Sequence, residues 1–106
     1  MLNGLGIADT VAGKLRPYPN GNTAMNALAA CDDPQVIGCT QVTEILITAG
    51  IDLVADLPLE FELATMYTAG IRSTSTCVAQ AQTMINTLVS PQHAQLRAKG
   101  GFLPVA

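Results

Sequence analysis

Three short apolar segments, each cut off before it reaches helical length, constrain the fold of this chain most strongly. They are "VIGCT" at 36–40, "IDLVADLP" at 51–58 and "FELATMYTAGI" at 61–71. Short runs rich in β-favouring residues and bounded by Gly, Pro or Asp read as strands. Helical patterns lie between and after them. "NGNTAMNALAAC" puts Met25, Leu28 and Ala29 at core spacing behind a turn, and "QVTEILITAG" is apolar at Val42, Ile45 and Leu46 before Gly50, a C-cap. "STSTCVAQAQTMINTLVS" has Ser73 or Ser75 as its cap and a stripe at Cys77/Val78, Ala81, Met84/Ile85 and Leu88. "SPQHAQLRAKGGF" follows, with Ser90 as N-cap, Pro91 in the first turn and Gly100 past the end.

Nearer the start, Asp9 or Thr10 is a candidate N-cap, and Pro17 and Pro19 confine "LRPYP" to a sheet edge. Strands alternating with helices imply an α/β fold: three layers, with a mostly parallel sheet flanked by helices. At 106 residues the chain has room for one domain and one core.

Charge narrows the function. Charged residues make up 12% of the chain and apolar residues 49%, so there is little charge to cover a monomer's surface. Burial against a second surface is expected, with a homo-oligomer, most simply a dimer, as the form. The net charge of −3 and five scattered basic residues argue against nucleic acid. No apolar stretch is long enough to span a membrane, and the first residues lack the pattern of a signal peptide, so the chain as written is expected in the cytoplasm. Cys31, Cys39 and Cys77 are spaced for neither a disulfide framework nor zinc, and are expected to be buried free thiols. With His93 the single histidine, neither a metal nor a cofactor is expected.

Catalytic readings are weak. Cys39 and His93 are the available thiol and base, but no third orienting residue accompanies them. Asp52, Asp56, Glu60 and Glu62 are spread along strands and turns as solvated carboxylates, and no glycine-rich phosphate loop is present. A non-catalytic protein is expected. The abrupt change in "VIGCTQVTEIL", from an apolar run to Thr40, Gln41, Thr43 and Glu44, has two explanations. Thr40 or Gln41 caps the next helix, or the polar residues form a ligand-facing strand end of the kind found in open α/β sheets.

The order of segments, "VIGCTQVTEIL..AGIDLVADLP", then "ATMYTAGI", a helix and "SPQHAQLRAKGGF", resembles the C-terminal part of type 2 periplasmic solute-binding proteins, the molybdate-type oxyanion binders above all. That resemblance implies that residues 1–60 correspond to the later part of a second lobe. Residues 61–106 then correspond to the crossing strand and last helices of the first lobe, the rest of which is missing. A full-length relative would be periplasmic. It also implies a small oxyanion or small polar solute as ligand. Asn22, Thr23 and Ala24 match the family's helix-leading pair, where a helix N-terminus suits an anion. Thr40 and Gln41 match its second-lobe contact, with Gln41 where the molybdate branch places a tyrosine. Asn22 or Thr23 as a simple N-cap is the alternative for the first stretch.

Two functions compete on these grounds. One is a solute-binding module whose cleft is completed by a second copy. The other is a structural, self-associating remnant, domain-swapped through "FELATMYTAGI", or half of a split binding protein.

Overall fold

The computed structural model describes residues 1–104, and they fold as helices and turns. The chain divides after Glu62 into two compact units. The first holds α1 (Ala8–Val11), continued by a 3-10 turn at Ala12–Lys14, then α2 (Gly21–Ala29), α3 (Val42–Ile47) and a 3-10 turn at Leu59–Phe61. The second holds α4 (Val78–Val89), a 3-10 turn at Pro91–His93 and α5 (Ala94–Lys99).

The clearest helix ends coincide with end signals in the sequence. Asn20 starts α2 in extended backbone and accepts a hydrogen bond from the Thr23 N–H, satisfying one donor of the first turn. In α3, Thr48 ends the helix and its hydroxyl donates to the Glu44 carbonyl at 2.7 Å. Gly50 then takes a left-handed conformation (φ 81°), which glycine adopts without a β-carbon penalty. Pro91 opens the turn before α5, which ends at Gly100, with Gly101 left-handed behind it (φ 86°). The caps expected at Asp9, Thr10, Ser73 and Ser75 shift: α1 starts after Ile7, and α4 after Cys77, whose N–H donates to Ser75 Oγ.

The expected sheet is absent. No β-strand occurs among the described residues, so the α/β three-layer architecture, and the periplasmic-type-2 frame that goes with it, do not describe this chain. The physical reason lies in pairing. Two lone strands are marginal in water, and a sheet needs a third or a helix-covered face. Segment 51–58 carries Asp52 and Asp56, which disfavour strands, and ends at Pro58, which cannot donate to a ladder. Segment 61–71 begins inside a 3-10 turn and continues without regular structure. Segment 36–40 closes over α2 instead, bringing Gly38 against Met25 and Leu28.

Packing in the first unit centres on Met25, which α2 presents toward α3 and the segment at Gly38. It is the one buried apolar side chain among the described residues, at 1% exposure, and Thr48 is the one buried polar residue. The second unit contains no buried residue between Leu63 and Pro104. Tyr67 packs against Phe102, edge to face at 5.9 Å. The free thiols are more open than expected: Cys31 is half-buried, whereas Cys39 and Cys77 are exposed.

The surface measures the same shortfall. Two compact bodies of these sizes, standing wholly apart, would expose about 6,800 Å² between them. The chain exposes 8998 Å². Ile37, Val54, Leu59 and Leu63 are each almost fully exposed, although their side chains are the kind that normally form cores.

Candidate functional site

The two stretches expected to contact a ligand meet at the first residue of α2. Gly21 lies where a β-carbon would collide with Thr40 Oγ1 and Glu44 Oε2, so those two side-chain oxygens occupy the space beside the start of the helix. Glycine there permits the approach. The Thr40 hydroxyl donates to the Glu44 carboxylate one helical turn further on. Packing between α2 and α3 holds this pair in place.

Each residue of the first stretch is engaged within its own helix. Asn22, in the first turn of α2, accepts from Asn26 Nδ2 through its backbone carbonyl (2.9 Å) and through Oδ1 (3.0 Å). Thr23 directs both its N–H (2.8 Å) and its hydroxyl (2.9 Å) at Asn20 Oδ1. Ala24 is half-buried, and its N–H donates to the Asn20 carbonyl at 3.2 Å. The N-cap is therefore Asn20, not Asn22 or Thr23. Gln41 precedes α3, and its carbonyl accepts from the N–H groups of Glu44 (3.0 Å) and Ile45 (3.3 Å).

The electrostatics of this corner follow from its occupant. A helix N-terminus carries partial positive charge and attracts an anion. Here a carboxylate of the chain itself lies against α2's first residue, and it would repel an incoming oxyanion. The arrangement is a self-contained polar lock between α2 and α3.

A second polar cluster joins α4 to α5. Arg97 Nη1 donates to the Leu88 carbonyl (2.7 Å) and the Ser90 carbonyl (2.9 Å), so a cation from α5 satisfies carbonyls at the end of α4. This is the favourable end of the macrodipole for positive charge. His93 Nδ1 lies 3.0 Å from the Thr87 carbonyl and 2.8 Å from Ser90 Oγ. A carbonyl can only accept, so Nδ1 holds a proton for the Thr87 bond and has no lone pair with which to take one from Ser90. The pair acts as a helix cap, and the geometry gives Ser90 no base at that nitrogen.

Cys39 and His93, the thiol and base of the sequence, fall in different units. No cluster of three or more metal-ligating side chains occurs among the described residues, and no described helix is long and apolar enough to cross a membrane. A groove of about 330 Å³ in the first unit runs between Met25, Leu28, Val36, Ile45 and Leu53, with Asp33 and Asp52 also on its lining, so polar and apolar surface face it in nearly equal measure.

Sequence reasoning named Glu44 only as one of the polar residues after Cys39, and did not single out Asn20 or Arg97. Asn20 had a signal in its position three residues before Thr23, the spacing of an N-cap. Glu44 had one in lying four residues after Thr40, on the same helical face. Arg97 had none, because its partners are backbone carbonyls across a turn. No family model, no curated protein and no solved structure matches the chain.

Proposed function

We propose that this chain is a non-catalytic interaction protein that completes its core by associating with a second copy of itself. One observation carries the proposal: among the described residues a single apolar side chain is buried, and most of the large apolar ones stand in water. Its surface exceeds that of two separate compact bodies by about 2,200 Å². Interfaces of permanent dimers bury about 2,000–5,000 Å² in total, or about half of that on each copy. The excess is thus of the size that one permanent interface removes from each partner.

Charge supports the same reading. Few charged side chains oppose the approach of two copies, and the formal charge of −3 spread over 106 residues adds little repulsion. The polar clusters at Gly21 and at Arg97 are used internally, to fix helix pairs, which suits a scaffold whose function lies on its apolar faces. Light scattering coupled to gel filtration, across a wide range of loading concentration, tests the proposal. A mass of two or more chains supports it. A mass of 11.0 kDa at every concentration removes it.

A further inference from the structure

The longest helix, α4, shows where such an association would form. Over Val78–Val89 it reads VAQAQTMINTLV, with no Asp, Glu, Lys or Arg. Val78, Ala81, Ile85 and Leu88 recur at helical spacing along one face, with Met84 at its margin. Val78, Met84 and Leu88 are exposed, Ala81 and Ile85 are half-buried, and no residue of the helix is buried. Most of the other side chains of the helix are polar, and several bond within it. Thr83 Oγ1 donates to the Ala79 carbonyl (2.9 Å), Thr87 Oγ1 to the Thr83 carbonyl (2.9 Å) and Gln82 Nε2 to Asn86 Oδ1 (2.9 Å). Exposed at Val78 and Leu88 and half-buried between them, this stripe retains apolar surface for a partner.

We propose, resting on the self-association reading above, that α4 pairs antiparallel with α4 of a second copy, Val78 facing Leu88 and Ala81 facing Ile85. The two-fold axis then crosses the seam at the level of residue 83, between Ala81 and Ile85. Three arguments favour a second copy in this orientation. The stripe is nearly self-complementary when reversed, since the small Ala81 meets the large Ile85 and the layers interdigitate, whereas a parallel pair stacks Ala81 on Ala81 and leaves a gap. Antiparallel helices also set opposite dipole ends side by side. The absence of charge along the helix removes electrostatic repulsion between identical faces, and its absence from the polar face removes the Lys and Arg that a membrane-surface helix uses. The surface excess per chain, about 2,200 Å², accommodates this seam together with the flanking apolar residues.

The experiment combines sedimentation with cross-linking on the full chain. Leu88→Glu puts a charge on the seam of each copy and is expected to weaken association by about tenfold or more. Gln80→Glu, on the polar face, is expected to leave it unchanged. In a chain with all three cysteines replaced by serine, Ala81→Cys chains mixed with Ile85→Cys chains are expected to give a mixed disulfide-linked dimer with oxidised glutathione, because position 81 faces position 85 across the seam. Either variant alone is expected to link far less, because each of these positions lies about 6 Å along the helix from its own copy.

If the parent chain associates but Leu88→Glu matches it and the mixed dimer of positions 81 and 85 does not form, the α4 seam is overturned while self-association stands. A parent chain monomeric at every concentration overturns both. Efficient linking of Ile85→Cys to itself, without the mixed dimer, overturns the antiparallel arrangement. Binding of the parent chain to phosphatidylcholine–phosphatidylglycerol vesicles, lost in Leu88→Glu and without a protein dimer, assigns the face to lipid and overturns the proposal. Circular dichroism of each variant separates a lost interface from a lost helix.

Discussion

Replacing Gly38 with alanine would place a methyl group against the one buried apolar side chain among the described residues. The new β-carbon would lie 2.5 Å from Met25 Cε and 2.8 Å from Leu28 Cδ2, whereas carbon atoms in contact settle at about 3.5–4.0 Å. About 1 Å must therefore be yielded by Met25, which is 1% exposed, or by the segment that covers it. Overpacking of this kind costs about 1–3 kcal/mol. Gly38 does not occupy a left-handed conformation, so alanine fits its backbone and recovers about 0.4–1 kcal/mol through the unfolded chain. A net loss of about 1.5 kcal/mol is expected.

Met25→Ala removes the side chain that the methyl would strike. It should cost about 2 kcal/mol, the low end for such truncations, because the open groove beside Met25 lets the site relax. In the double variant the methyl added at position 38 enters space that the Met25 side chain has left. The combined loss should then fall short of the sum by about 1 kcal/mol. Urea unfolding of the four proteins at one fixed concentration, followed by circular dichroism, gives the cycle. Additivity within about 0.5 kcal/mol would refute the claim that Gly38 and Met25 share one packed site.

Asn20→Ala should destabilise α2 by about 1 kcal/mol, and Asn20→Asp should retain the cap; thermal melts of the two variants distinguish cap loss from general damage. Arg97→Met should cost about 1 kcal/mol and speed amide exchange through the last turn of α4 and through α5, with Arg97→Lys recovering part of the loss. Molybdate, sulfate and phosphate should leave the melting midpoint unchanged, because the Glu44 carboxylate lies where an oxyanion would approach α2. A selective rise with one of them would show that Glu44 moves aside to admit it.

The helices were legible in the sequence because their signals are local. The Asn-Gly-Asn turn before an alanine-rich run marks α2, and Ser-Pro ahead of a run ending in paired glycines marks the turn and α5. The segments at 36–40, 51–58 and 61–71 were misread because a strand is defined by its partner, and β-favouring residues only describe a surface that would suit one. Gly38 shows the difference: its lack of a side chain serves close packing on Met25, not a place in a ladder. Within the candidate site, the meeting of Thr40 with Gly21 depends on how α3 packs on α2, which no spacing in the chain encodes. The sparse charge was the most informative composition signal, since it pointed to a surface in need of cover before any residue had been placed.

If association completes the core, thermal stability must depend on protein concentration. For a dimer that unfolds to separate chains, a tenfold increase in concentration adds about 1.4 kcal/mol per dimer. In a chain of this length that should raise the midpoint by about 3–5 °C. A midpoint that climbs in this way is the expected result. A midpoint that stays constant across the concentration range, with a cooperative transition, would mean that each chain is stable alone and would contradict the account.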